Sequence, residues 1–279
     1  MRKEFIRMLF SLMVMVVSLA PMNVSFASSD PSTKPIFKIN DFFVLYTSPK
    51  APYVDPNNRL MIPVRFVSEL LGANVNYNGR LQEATISKGR NSLKLKVDST
   101  EADNNGTVIS MDTAPEIVQN HLYIPIRVLI DSMNLPVKWD KETAVIQVVD
   151  ESLNDMTIFS QITDINVTPK VADNNAILPL WSNIQMTGPT LGKLTTGTLS
   201  LRAQNVSGQD ISAGKEDLHV IFSFEKGTMM EMDVPMPDQP VRERPFIDKG
   251  AIFERTLDFS SGMYNEQLNY IFALGRTFE

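Results

Sequence analysis

The stretch Arg59-Leu60-Met61-Ile62-Pro63-Val64-Arg65 returns 62 residues later as His121-Leu122-Tyr123-Ile124-Pro125-Ile126-Arg127. The likeness runs without a gap to Asn78 and Asp140: Glu69 answers Asp131, Val75 answers Val137 and Tyr77 answers Trp139. No other feature constrains the fold as tightly, because both copies must suit the same local structure. Each copy reads as strand, helix, strand, strand. A short apolar run (60–62, 122–124) leads into a proline, which a first helical turn tolerates because its N–H would have no partner there. Helices are therefore expected to begin at about Pro63 and Pro125. Ile126, Leu129, Ile130 and Met133 recur at i, i+3, i+4 and i+7, one face of a helix, and Val64, Val67 and Leu71 follow the same period. Gly72 and Asn134, the residue types that best accept a left-handed conformation, mark the helix ends. Val75/Tyr77 and Val137/Trp139 then alternate as strands, so each valine shares a face with its aromatic. That face is expected to pack on the helix, with both rings mostly inside.

The N-terminus carries an export pattern. Arg2, Lys3 and Arg7 precede an apolar run over residues 8–20, and Ser25-Phe26-Ala27 follows with small residues at the two positions a signal peptidase reads. The run falls short of the ~20 residues a membrane-spanning helix needs. Cleavage is expected between Ala27 and Ser28, leaving a polar tether over 28–35 and a secreted or cell-wall-associated mature protein. Loss of Arg2, Lys3, Glu4 and Arg7 with the leader takes the formal charge from −6 to −8. So acidic a chain has no electrostatic reason to bind nucleic acid or an anionic membrane, which excludes both as partners. The chain contains no cysteine, which rules out thiol catalysis, zinc–cysteine sites and disulfides.

Length suggests two domains. The repeat places an α+β unit at 36–150, an antiparallel sheet on helices. Residues 151–190 are ambiguous, a bridging region punctuated by Pro169, Pro179 and Pro189. Beyond it the period is two: Leu199/Leu201/Ala203, Leu218/Val220/Phe222/Phe224, Met230/Met232/Val234/Met236, Phe253/Leu257/Phe259 and Tyr270/Phe272/Leu274. Short strands separated by turns indicate an all-β, Ig-like sandwich over 191–279.

Over 36–150 the chain resembles the N-terminal stalk domain of copper amine oxidases. The resemblance rests on the two Ile-Pro-Val/Ile-Arg stretches, on Tyr77-Asn78 and Trp139-Asp140, and on the segment from Val97-Asp98 to Ala114-Pro115 between them. It implies a small antiparallel sheet wrapped on helices, a unit also found detached in exported proteins of Gram-positive spore-forming bacteria. It does not imply the oxidase reaction. The enzyme's catalytic domain uses three histidines on copper and a tyrosine in an Asn-Tyr-Asp/Glu context. This chain has only His121 and His219, and its Asn-Tyr pairs are followed by Asn78 and Ile271. No copper or other cofactor is expected. The C-terminal part resembles the small Ig-like inhibitor domains of bacterial proteases in its strand patterning.

No serine-nucleophile elbow, Walker loop, dinucleotide fingerprint or zinc-protease helix motif is present. His121 and His219 read as solvated strand residues rather than catalysts. Met229, Met230, Met232 and Met236 could suit Cu(I), but methionine is an ordinary core filler. The runs Asp103-Asn104-Asn105-Gly106 and Asp173-Asn174-Asn175 lack the carboxylate spacing of a calcium loop and read as turns. Arg65 and Arg127 stand apart. Each occupies a first helical turn, where a cation is mildly disfavoured, and each has an acid four residues on. Two readings are open: solvated ion pairs with Glu69 and Asp131, or a pair of ligand-facing arginines.

The function expected from these features is a non-catalytic binding or spacer protein of the envelope, its partner a cell-wall component or an extracellular protein. An inhibitor docking a secreted protease through a sandwich loop is the alternative. A glycan-acting hydrolase built on a carboxylate pair is the third.

Overall fold

The computed structural model describes residues 36–48, 52–156, 158–159, 170–230 and 242–279. Ala27, Ser28 and the rest of the leader and tether lie outside them, as do Met232, Val234 and Met236. Ahead of the repeat run Ile36–Ile39 (β1), Phe42–Thr47 (β2) and Tyr53–Val54 (β3). The first copy is Leu60–Pro63 (β4), Val64–Leu70 (α1), Asn74–Asn78 (β5) and Glu83–Lys88 (β6). Between the copies lie Asn91–Lys96 (β7), Glu101–Asn104 (β8), Thr107–Ser110 (β9) and Glu116–Val118 (β10). The second copy is His121–Pro125 (β11), Ile126–Met133 (α2), Val137–Asp140 (β12) and Val145–Val148 (β13).

The repeat thus folds twice into strand, helix, strand, strand. Each proline sits one step earlier than expected. Pro63 and Pro125 are the last strand residues and the N-caps of their helices, with extended ψ of 111° and 126°. Proline's fixed φ suits either state, so it can close a strand and open a helix at once. The helix ends fall as read: Gly72 and Asn134 both take left-handed φ, 69° and 50°.

β4 and β11 pair antiparallel, with Ile62 opposite Ile124, Pro63 opposite Tyr123 and Met61 opposite Pro125. Ile62 and Ile124 are themselves equivalent positions of the repeat. A local twofold axis therefore passes between them, perpendicular to the ribbon, as for any directly opposed antiparallel pair. The two copies diverge beyond their hairpins. β6 continues into the meander β5-β6-β7-β8-β9, whereas β13 pairs in parallel with β1 and so enters the largest sheet.

That sheet is completed from the far end of the chain. The remaining strands are Val171–Asp173 (β14), Ile177–Thr187 (β15), Leu194–Asn205 (β16), Glu216–Phe224 (β17), Thr228–Met230 (β18), Ile252–Tyr264 (β19) and Leu268–Phe278 (β20). Among the described residues the sheet runs β12-β13-β1-β2-β20-β17-β18, with β14 also on β20. A second sheet, β15-β16-β19, packs against one of its faces, and β15 comes from the bridging region.

The protein is mostly β, in several antiparallel sheets. The arrangement is not a simple succession of an α+β unit and a separate sandwich, because β20 serves two cores. Tyr270, Phe272 and Leu274 join the core of α1, α2 and the meander, while Ile271 and Ala273 on the opposite face join Leu199, Leu201 and Leu257. A strand covered on both faces reads as nearly continuous apolar sequence. Every residue of β17 is buried as well, with Ile221 in the first core and Leu218, Val220, Phe222 and Phe224 in the second. β2 does likewise, sending Phe42 and Val44 to the first core and Phe43 and Tyr46 to the second. The strands are also longer than expected, with 13 residues in β19. Gly275 admits the close approach of β15, since a Cβ there would stand 1.8 Å from the carbonyl oxygen of Ile177. Among the described residues no helix is long and apolar enough to cross a membrane.

Candidate ligand-binding grooves

Two concavities flank the β4–β11 ribbon, and the twofold axis relates them. In the first, Pro63, Val64 and Arg65 at the start of α1 meet Tyr77 of β5 and the incoming turn of the other copy, Asn120 and His121. In the second, Pro125, Ile126 and Arg127 at the start of α2 meet Trp139 of β12 and, again from the other copy, Asn58 and Arg59. Each of these residues corresponds to one in the other groove, 62 positions away. The cavities measure ≈ 130 and ≈ 220 Å³. Neither copy could form its groove alone. The antiparallel pairing carries the start of one copy's first strand to the end of the other's, beside that copy's helix.

The aromatic rings correct an expectation. Tyr77 is 38% exposed and Trp139 48%, where burial on the helix face had been expected. Val75 does share its face with Tyr77, and both line the first groove. Alternation sets the direction of a side chain, but burial depends on what covers it. At the first turn of each helix the neighbour is the other copy's incoming turn, which leaves an open gap there.

Arg65 and Arg127 are both exposed. Of the two readings left open, the ion pair is not formed: among the described residues neither arginine lies within 4.0 Å of a carboxylate. Glu69 still feels Arg65. Burial pushes its carboxyl above the usual range, and the guanidinium's charge opposes that shift. Arg59, by contrast, is held by Asp112. Asn58 and Asn120 adopt the same left-handed conformation, φ 61° and 63°, at the same point of each groove.

Behind each aromatic the following residue closes a turn. Asn78 Oδ1 accepts from the N–H groups of Arg80 and Leu81, at 3.1 and 3.2 Å. Asp140 Oδ1 accepts from those of Glu142 and Thr143, at 2.9 and 3.3 Å. Amide and carboxylate do the same job, but only one titrates. The hydroxyl of Thr143, with the backbone N–H groups of Glu142 and Thr143, holds the Asp140 carboxyl below its usual range. A depressed folded-state pKa contributes stability above the unfolded value and loses it as pH falls through the folded one. Asp140→Asn is therefore expected to lower the melting temperature slightly at neutral pH. The gap should close in acid; a gap that persists below the folded pKa would contradict this.

The other candidates fall elsewhere. Asp103 accepts from the N–H of Gly106 at 2.6 Å and Asp173 from that of Asn175 at 2.7 Å, so both acidic runs are turns. Met229 packs on the second core within β18, and Met232 and Met236 lie outside the described residues. His121 is half-buried, its Nδ1 2.9 Å from the carbonyl of Gln119. His219 is not the solvated strand residue expected. It is buried, with Nδ1 3.8 Å from Asp217, on a strand whose every residue is buried.

Pattern reading had missed that polar cluster. Asp217 is fully buried and takes a two-pronged contact from Arg276, with Nε at 2.8 Å and Nη2 at 2.6 Å. Arg244 and Arg242 stand 3.6 and 3.8 Å from its other oxygen. The alternation Arg242-Glu243-Arg244 was the available sign. Lys38, likewise missed, is buried in β1. It donates to Asn175 Oδ1 at 2.6 Å and lies 4.6 Å over the ring of Phe43, while burial lowers its pKa.

The doubled strand–helix–strand–strand unit lies within the segment that a family model matches. Residues 43–148 match the copper amine oxidase N-terminal domain family. No curated protein matches the chain. The family name raises the question of copper, and the residues present do not fit it. The two histidines sit in different sheets, on β11 and β17. Among the described residues no group of three or more His, Cys, Asp or Glu side chains gathers as a metal site. The copper amine oxidase N-terminal domain here carries paired grooves instead.

Proposed function

We propose that this is a non-catalytic protein exported by a cleavable signal peptide, which binds or spaces a component of the cell envelope and has no amine oxidase activity. The observation that carries the reading is the repetition of one groove. In both copies an exposed aromatic ring lines the same groove as an arginine that, among the described residues, has no carboxylate within 4.0 Å, and packing alone does not call for that arrangement twice. The sequence supports the non-catalytic part, since two histidines and no Asn-Tyr-Asp/Glu motif cannot supply the oxidase chemistry. Purified mature protein should co-sediment with cell walls, and simultaneous Tyr77→Ala and Trp139→Ala substitution should abolish that while leaving the circular dichroism spectrum unchanged. Undiminished sedimentation of the doubly substituted protein would refute binding through the grooves.

A second reading has one observation behind it. The β15–β16 hairpin and the connection that carries the chain from β19 to β20 meet at one end of the second sheet, where Asn265 Oδ1 accepts from the N–H of Gly192 at 2.7 Å. Leu191, Met263 and Tyr264 stand exposed there. An ordered apolar tip of this kind suits docking to an extracellular protein, a secreted protease among them. Loss of capture from culture supernatant on Leu191→Asp and Tyr264→Asp substitution would select it.

A further inference from the structure

We propose that the two grooves are matched sites for an acidic glycan, each stacking one sugar ring on its aromatic side chain and holding that sugar's anionic group with its arginine. The proposal rests on the envelope-binding reading and adds the chemistry of the ligand.

Tyr77 and Trp139 present flat apolar faces flanked by Val64 and Ile126, a surface that suits the C–H face of a sugar ring. Arg65 and Arg127 supply planar, always-charged guanidinium groups whose donors match a carboxylate or phosphate two-pronged. In a chain of formal charge −6, acids are plentiful, and Glu69 and Asp131 stand one helical turn away. Neither arginine takes one. A neutral glycan would leave both guanidinium groups unmatched. The equivalence of the grooves adds a count of two sites per chain, one from each side of the twofold axis.

The test is calorimetry of the mature protein with three probes: trigalacturonate, its neutral methyl ester and inorganic polyphosphate. Trigalacturonate is expected to bind at two sites per chain, with the ester about tenfold weaker or worse, the loss typical of removing a charged hydrogen-bond partner. Polyphosphate, which lacks a ring, should bind no better than the ester. Arg127→Gln and Arg65→Gln should each remove one site and leave the other. In a Trp181→Phe background, trigalacturonate should change Trp139 fluorescence, and Arg127→Gln should abolish that change. If Trp139→Ala fails to fold, Trp139→Tyr, the residue of the first copy, should retain the site. A phosphorylated trisaccharide identifies the preferred anion, and binding of either acidic sugar is the expected result. Ester binding as tight as the acid would overturn the proposal, as would a stoichiometry that ignores both arginine variants. Wall binding without affinity for any acidic oligosaccharide would sink the ligand class alone; loss of both would sink the wall-binding reading with it.

Discussion

Replacing Phe272 with alanine is expected to destabilise the protein by ~3–5 kcal/mol, the range for truncating a fully buried aromatic. Its ring has no solvent exposure and lies among Tyr270, Phe159 and Phe42, with centroids 5.6, 5.8 and 6.2 Å away. The consequence should extend beyond the first core. Phe272 sits on β20, opposite Val44 of β2 and Ile221 of β17, while Ile271 and Ala273 beside it belong to the second core. A cavity on one face loosens the strand that the other face relies on. Trp139 reports on the repeat unit and Trp181, on β15, reports on the sheet β15-β16-β19. Denaturant transitions followed through each tryptophan, with the other replaced by phenylalanine, should coincide and shift together. If only the Trp139 transition moves, the shared sheet does not couple the two cores.

Asp217→Ala should be comparably damaging, at ~3–5 kcal/mol, because it strands Arg276 in a site from which water is largely excluded. The Asp217 side chain is 0% exposed and that of Arg276 11%. Arg244 and Arg242 would lose the same counter-charge. The control is Arg202→Ala, which breaks a pair with Glu254 on the surface of β16 and β19. Exposed pairs are worth ~0–1 kcal/mol, so that variant should unfold close to the parent. Urea titration distinguishes the two. Equal stability losses would mean that the Asp217 cluster is no more than a surface feature.

Much of the first half was legible because it is written twice. The positions of α1 and α2, their left-handed ends at Gly72 and Asn134 and the strands after them follow from local rules: period, proline tolerance and the steric latitude of glycine and asparagine. The alternation from Leu199 to Leu274 likewise announced β16, β17, β19 and β20. Two local inferences went astray for one reason. Trp139 was expected inside and His219 outside, since alternation tells which way a side chain points but not whether anything stands there. The other copy's turn leaves a gap beside Trp139, whereas β20, β18 and the arginines around Asp217 enclose β17.

The elements of the repeat, the strand periodicity of the C-terminal part and the chemical poverty of the chain, with no cysteine and two histidines, are written in the order of the residues. All of these are properties of single residues or near neighbours. That β4 and β11 pair about the equivalent isoleucines, and so that each groove takes residues from both copies, is a matter of long-range packing. So is the place of β20 between β2 and β17, where it carries two cores. Pairings such as Val44 with Phe272 join residues from opposite ends of the chain. Their choice depends on which faces remain uncovered once every local element has formed, a global condition that no local pattern encodes.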